Sequence, residues 1–391
     1  LPVLVVSLGV MLTVFLSGWV TGVFGDVIDM NARFSTGHVK VMTRAYAKER
    51  DQKPNDLALL GTTELIRDLE KDYPDMQWVE RIYFGGLLDV PDEKGETRAQ
   101  GPASGQAVDL LSPGSREAER MNITQSVVSG KMPQRPGQAL ISHEFAERFD
   151  VKPGDPVTVF ASTMYGSMAF KNFTVSGTIR FGNAMLDRGA VIVDIRDARR
   201  ALNMEDAAGE VLGFFEQGKY LSEKALEVKT SFNHEYSKEG DAFSPMMLTL
   251  GDQEGLDEML AYSESVVGIV IFVFVFAMSL VLWNTGLLGG LRRYGEFGVR
   301  LALGEEKPHI YKTLILEAVI IGLIGSIVGT AIGVGLSFYL QEHGIDFGSM
   351  TENMGMMLPS EFRAVVTPQL FYIGFIPGLF AMVLGNALSG I

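Results

Sequence analysis

The chain has 391 residues, of which 47% are hydrophobic, with 33 Lys+Arg against 47 Asp+Glu and no cysteine. Its mean hydropathy of +0.18 is high for a soluble protein and low for one wholly inside lipid, so a mixed architecture is expected. The composition excludes disulfides and thiolate metal sites, and a net charge of −14 argues against a nucleic-acid partner, which needs basic patches.

The chain opens at LPVLVVSLGV without an initiating Met and closes at GNALSGI. Both ends are expected to lie inside longer segments. Residues 1–25 carry no charge and are long enough for a bilayer span, which takes about 20 apolar residues. The run is longer than a signal-peptide core, and no small-residue cleavage site follows it. Residues 24–34 continue it as a helical stalk.

Residues 26–264 form a polar region with net charge −12, read as one large mixed α/β domain. GHVKVMTRAY alternates as a strand does, and TTELIRDLEKDY is a short amphipathic helix. MQWVERIYFGGLLDV, DPVTVFAS, KNFTVSGTIRF and GAVIVDI are strand-like, rich in Val, Ile, Phe and Thr. In QALISHEFAERFDVKPGDPVTV, Ser142 can cap a short helix that places Phe145 and Phe149 on one face, and Pro153-Gly154-Asp155 turns into a strand. DIRDARRALNM reads as another short helix. From 209 to 251 polarity is high and the strand signal weak, which predicts linkers and peripheral elements before a helix at 254–264.

Nothing in this domain reads as a catalytic or metal site. GFFEQGKY (213–220) imitates a phosphate loop, but Tyr220 stands where a small hydroxyl must reach Mg²⁺, and Phe214 and Phe215 crowd a loop that must approach a phosphate. The five His residues are isolated and form no i, i+4 pair. Asn122 and Asn172 match the short glycosylation pattern, which arises readily by chance.

Three further apolar windows follow, 265–291, 313–340 and 364–391, separated by loops at 292–312 and 341–363. The loop at 289–312 has net charge +2, which holds it in the cytoplasm and sends the large domain outside. The expected fold is an α-helical membrane protein with four transmembrane helices plus a large mixed α/β extracytoplasmic domain inserted between helices 1 and 2.

Within the third window Gly322, Gly325, Gly329 and Gly333 fall near one helix face, where they admit another backbone closely, either within this chain or at a subunit interface. Glu317 sits about one turn inside the cytoplasmic end. A carboxylate there is costly and faces protein or water, with Arg292, Arg293 or Lys312 as partners. Arg292 and Arg293 stand at the membrane exit, where they meet lipid phosphates. Glycines 289, 290, 295, 298 and 304 break the segment repeatedly. Phe297, Val299, Leu301 and Leu303 are apolar knobs in an otherwise solvated loop, and Pro308 can begin the next helix. The pattern is a short helix, a glycine stop and a new helix, suited to dock into another protein.

RRYGEFGVRLALGEEKPHIYKTLILEAVIIGLIGSIVGTAIG (292–333) resembles the core signature of FtsX-like permeases of ABC transporters, also called type VII or MacB-like. Glu296, Gly298, Ala302 and Gly304 occupy its E-x-G-x-x-x-A-x-G positions, and Glu317, Gly322, Gly325 and Gly329 its later ones. QALISHEFAERFDVKPGDPVTV resembles the family's external core domain. The resemblance implies a multi-pass protein of the bacterial inner membrane with a periplasmic domain, not itself an enzyme. A separate cytoplasmic ATPase would bind ATP and Mg, and this chain would hold no cofactor. A second permease chain, identical or paralogous, would complete the transporter. Arg292, Arg293, Tyr294, Glu296, Phe297, Arg300, Leu301, Leu303 and Gly304 would form the ATPase-coupling element, and ATPase dimerisation would tilt the spans and move the external domain, a mechanism called mechanotransmission.

The long first span followed by GHVKVMTRAY resembles the lipoprotein-release branch. Drug or peptide exporters of the macrolide type and FtsX-like scaffolds that control cell-wall hydrolases are the alternatives. For a triacylated substrate, about 45 methylenes at ~0.8 kcal/mol each cost roughly 35 kcal/mol to expose to water, so the acyl chains need a protected apolar surface. Trp19, Val23 and Phe24 of the first span with Val267, Ile271, Phe272 and Phe276 of the second are candidate cavity residues. Lipoprotein, a periplasmic carrier and membrane lipids are the expected partners beyond the ATPase and second permease.

Overall fold

The computed structural model describes residues 2–181, 187–216, 218, 220–253, 256–292, 294–346, 361–375, 378–380, 382 and 383. They form two compact units. A helical unit lies within Leu1–Asp26, Glu258–Phe347 and Ser360–Ile391, and an α/β unit within Val27–Asp257.

Helix α1 (Pro2–Asn31) continues past Gly25 as the expected helical stalk, and its last turn widens into a π-helix at Ala32–Thr36. The stop is Gly37. Its φ of +63° suits a residue without Cβ, and its N–H donates to the Ala32 carbonyl at 2.8 Å.

The α/β unit contains ten strands in one connected sheet: β1 (Val39–Thr43), β2 (Met76–Pro91), β3 (Thr97–Val108), β4 (Val127–Gly130), β5 (Gln138–Ser142), β6 (Pro156–Ser162), β7 (Met168–Ile179), β8 (Ala190–Asp194), β9 (Glu210–Phe215) and β10 (Pro245–Thr249). Six of them close into a ring. β2 pairs β3, β3 runs parallel to β8, β8 pairs β5, β5 runs parallel to β7, β7 pairs β6, and β6 returns to β2. Closure removes the exposed edges that an open sheet of this length presents. Alternate residues of β2, Ile82, Phe84, Leu88 and Val90, point into the ring and meet Ile141, Val157, Val159, Phe173, Val191 and Val193.

The first half of β2 belongs to a second layer. Met76–Arg81 pairs with β9, which pairs with β1, which pairs with β10, all antiparallel. Helices α2 (Thr62–Asp72) and α6 (Ser222–Tyr236) supply Leu69, Ala225, Val228 and Phe232 to cover Val39, Val41, Met76, Trp78, Val211 and Met247. Short helices α3 (Glu117–Arg120), α4 (His143–Arg148) and α5 (Ile195–Leu202) fill the connections. Ser142 caps α4 by accepting from the Phe145 N–H at 3.2 Å, and the Phe145 and Phe149 rings lie 4.6 Å apart.

The expectation for 209–251 is corrected. This stretch holds the wholly buried strand β9, the strand β10 and the 15-residue helix α6. β9 contains a glycine, Gly213, against which Trp78 packs, so a Cβ there would lie 2.6 Å from the indole. Its strand character comes from pairing on both sides, as for β3. That strand's sequence TRAQGPASGQAV has little β-propensity, and its Gly105 lies under the Phe84 ring.

The helical unit has α7 (Leu256–Arg292), α8 (Tyr294–Ala302), α9 (Lys307–His343) and α10 (Leu370–Ile373). Among the described residues three helices are long and apolar enough to cross a membrane: α1, α7 over Ser265–Asn284, and α9. The third helix starts at Lys307, six residues before the expected span, and Pro308 is its second residue. The fourth expected span, 364–391, lies partly outside the described residues, and its first residues are not helical. Ala364–Val366 is extended, with the Val365 N–H donating to the Gly18 carbonyl at 3.0 Å and the Arg363 carbonyl seated on Gly22. Just before it, β11 (Ile345–Asp346) and β12 (Glu361–Phe362) pair antiparallel.

The glycine face of α9 meets α1 within this chain. A Cβ on Gly325 would stand 2.8 Å from Val6, one on Gly329 2.5 Å from the Ser7 carbonyl, and one on Gly333 2.9 Å from the Met11 carbonyl. Gly322 faces Leu379 and Met382 instead. Of the two roles open to this stripe from sequence, the structure uses it for packing inside the chain. We expect Gly329→Ala to lower the thermal stability of the detergent-solubilised protein by about 1–3 kcal/mol, because the backbones must separate. Gly335→Ala, where an added Cβ meets nothing within 4 Å, should leave the melting temperature unchanged or raise it.

Candidate functional site

The segment that follows α7 is built as a short helix with a hard stop. At the end of α8 the Glu305 N–H donates to the Arg300 carbonyl at 3.0 Å and the Gly304 N–H to the Leu301 carbonyl at 3.1 Å. This is a Schellman closure with Gly304 at φ +93°, a position any side chain would strain. Chain direction then resets at Glu306 and α9 begins. Val299 is 61% exposed, Leu301 41% and Leu303 83%, so three apolar side chains stand in solvent on one nine-residue helix and its cap. Glu296 and Arg300 are exposed beside them, and nothing lies within 4 Å of a Cβ placed on Gly295, Gly298 or Gly304. Arg293, and the side chains of Arg292, Tyr294 and Phe297, lie outside the described residues. Glu317 is half-buried on α9, below this element.

Of the cavity candidates, Trp19, Val23 and Phe24 are half-buried on α1, as are Val267 and Ile271 on α7. Phe272 and Phe276 are exposed and stacked, with centroids 6.2 Å apart. α7 contributes Met278 and Leu282 to the buried cluster around Val6, Val10 and Val14, while Ile269, Val273, Leu280 and Trp283 remain exposed with the two phenylalanines. Among the described residues, one aromatic face of α7 is thus exposed.

The α/β unit holds a buried polar cluster where the stalk enters. Arg81, the last residue of β2 before the ring, is fully buried. Its Nε donates to Glu117 at 2.9 Å, and its two terminal nitrogens donate to the carbonyls of Phe34 and Arg33 at 2.7 Å each. These are carbonyls at the end of the stalk helix, which has no further turn to satisfy them. Burial alone would lower the Arg81 pKa, but the Glu117 carboxylate outweighs it and holds the guanidinium above its usual range. Burial would raise the Glu117 pKa, and Arg81 with Arg120 outweighs that, holding the carboxyl below its usual range. Arg120 also donates to Gln77 at 2.8 Å and lies 4.2 Å over the Phe214 ring. Beside this cluster, Lys40 pairs with Glu210 at 2.8 Å, both buried. Burial and the same Glu210 push the Tyr46 phenol well above its ordinary range. No sequence pattern links Arg81 to Glu117 or Lys40 to Glu210. They meet because β2, β9, β1 and α3 come together.

A cleft of about 600 Å³ lined by Trp78, Glu80, Arg116, Arg120, Arg196 and Arg199 runs beside the cluster. A second, of about 230 Å³, lies among Asp29, Arg33, His38 and Phe215. The arginines are matched by acids in both, as in the Arg199–Glu80 and Arg33–Asp29 pairs. Gly213–Phe215, the start of the phosphate-loop imitation, is strand backbone buried under Trp78 and His38.

His38 accepts the Phe215 N–H at Nδ1, 2.9 Å, so its neutral form carries the proton on Nε2. Burial first, then the charges of Arg120 and Arg33, lower its pKa to about 4. The unfolded chain therefore binds this proton more readily than the folded one below pH ~6.5, and stability falls as pH drops from there to about 4. The loss attributable to His38 should reach about 3 kcal/mol at the bottom of that window. His38→Asn, whose Oδ1 can still accept the Phe215 N–H, should flatten the pH dependence of the melting temperature between pH 6.5 and 4.

A family model described as the MacB-like periplasmic core domain matches residues 1–220, and one described as the FtsX-like permease C-terminal region matches residues 268–391. Among curated proteins, the lipoprotein-releasing system transmembrane protein LolC of Xylella fastidiosa, strains 9a5c and Temecula1, is 22% identical over 253 residues, covering 62% of this chain and 56% of the relative. The chain thus spans about half the length of the curated relatives it matches. Among solved structures, the match to the periplasmic region of MacB from Actinobacillus actinomycetemcomitans covers 57% of this chain and 94% of that one, at 9% identity and a TM-score of 0.37. With one model matching more than half of the chain and the other most of the rest, this protein belongs to the FtsX-like, MacB-like (type VII) family of ABC-transporter permeases.

Proposed function

We propose that this chain is the membrane subunit of an ABC transporter that works by mechanotransmission and releases lipoproteins from the bacterial inner membrane. A separate cytoplasmic ATPase binds ATP and Mg and docks on α8. The observation that carries this reading is the solvent-exposed apolar set Val299, Leu301 and Leu303 on a helix stopped by Gly304. Exposed apolar side chains grouped on one small element mark a surface that another protein covers. Glu296 and Arg300 flank it and supply register, while Arg292, Arg293, Tyr294 and Phe297 complete the docking element.

Four spans, a cytoplasmic α8 and an external α/β domain follow from the charge of the short loop and the family's layout. A second permease chain packs on the aromatic face of α7, where Phe272 and Phe276, with Val267 and Ile271 and with Trp19, Val23 and Phe24 of α1, form the protected surface that acyl chains need. The periplasmic domain then hands the substrate to a carrier. The 22% identity to a protein of a lipoprotein-releasing system supports this substrate over a drug, a peptide or control of wall hydrolases.

Co-purification with the cognate ATPase tests the docking. Glu296→Arg combined with Leu301→Asp should reduce recovered ATPase by at least tenfold, and undiminished recovery would exclude the role of α8. Photo-crosslinking from Phe272 and Trp19 tests the substrate. An acylated protein is the expected adduct, and a soluble peptide in its place would identify an exporter.

A further inference from the structure

The stalk ends in a joint that no sequence motif announces. Helix α1 runs from the membrane unit into the α/β unit and stops at Gly37. Around that stop, three separate contacts take hold of its last turn. Arg81 receives the carbonyls of Arg33 and Phe34. The Phe34 ring packs edge-on against Phe181, 5.5 Å away, beside the cluster of Val108, Ile123, Leu140 and Ile179. The buried Gln253 amide donates to the Thr36 carbonyl at 3.4 Å.

Arg81 differs from the other two in where it is rooted. It is the residue of β2 at which pairing changes over: Arg81 pairs Glu210 of β9, and the next residue, Ile82, pairs Ala107 of β3 in the closed ring. A guanidinium fixed there is held by the four-stranded layer and by the ring together. Its planar fork delivers two parallel N–H donors to two successive carbonyls while Nε stays on Glu117, a geometry a flexible ammonium cannot reproduce. All three contacts are short, and the side chain has no exposed surface. The arrangement locks direction as well as distance, because tilting the stalk would break one of the two carbonyl bonds before the other.

We propose that Arg81, oriented by Glu117, is a positioning residue that makes the stalk end and the closed ring one mechanical body, so that movement of the stalk is passed to the ring without slack. This deepens the mechanotransmission reading and rests on it for the source of the movement. The joint itself is a property of this chain alone.

The chain has no cysteine, so paired spin labels can be placed at Met30→Cys on the stalk and Lys94→Cys in the exposed β2–β3 turn without other changes. In the full-length protein in nanodiscs, electron–electron resonance should give one narrow distance distribution. Arg81→Gln with Glu117→Gln removes both buried charges together, leaving Arg120 at the cleft edge where water reaches it. This variant should keep a cooperative melt and widen the distribution at least twofold. Arg81→Lys, which keeps the charge on Glu117 but loses the fork, should widen it by less. A structural role alone predicts a lower melting temperature with an unchanged width. An unchanged width in the folded double variant, or in Arg81→Lys should the double variant fail to fold, would overturn the proposal. No ATPase is present in this measurement. Widening together with normal ATPase loss in the docking variants supports both readings, widening without ATPase docking leaves the joint and removes its driver, and docking without widening removes the joint alone.

Discussion

A guanidinium buried without exposed surface is the constraint on which the α/β unit turns. An isolated charge there would cost several kcal/mol to desolvate, and Arg81 is tolerable only because Glu117 and two main-chain carbonyls meet it. The carbonyls meet it because the stalk helix must end somewhere with its last acceptors satisfied. Each requirement answers the other. Removing the arginine orphans a helix end and a carboxylate, and removing the carboxylate leaves a cation in the core. The strand that carries Arg81 serves two layers, so the helix end is referenced to both.

The membrane unit is organised on a different principle. Between apolar helices in lipid there is no hydrophobic drive to associate, so close approach of backbones decides which helices pack. Glycines 325, 329 and 333 of α9 bring that helix onto α1, and Gly18 and Gly22 of α1 admit Ser337 and the extended segment at Arg363–Ala364. Two of the buried hydroxyls, Thr13 and Ser337, bond back to the carbonyls of Gly9 and Gly333 one turn earlier. α7 meets α1 through Met278, which packs on Gly9. Its Phe272, Phe276 and Trp283 stay exposed.

Helix α8 and the stalk end share a device. Gly304 and Gly37 both stop a helix at positive φ, with exposed apolar side chains just before the stop at α8 and carbonyls capped by Arg81 just before it at α1. A helix that stops sharply presents its last turn in a fixed orientation, which a frayed end cannot do.

Three of the long apolar windows, the strands rich in β-branched residues, the Ser142 cap and the Gly304 stop were legible in the sequence, because each is decided by local periodicity, propensity or backbone freedom. Strands β3 and β9 were not. β3 is rich in glycine and alanine, which have little intrinsic preference for a strand, while β9 is a short EVLGFF run set in a polar stretch, and partners distant in sequence flank both. The joint at Arg81 was equally invisible, since its partners come from the stalk, from β2 and from α3. The glycine face of α9 was visible as a face, but what it faces was not. Local chemistry determined the Ser142 cap, the Gly304 stop and the three long apolar helices. The closure of the ring, the pairing of buried charges and the choice of helix neighbours were decided by tertiary structure, because each depends on atoms brought together only when the whole chain has folded.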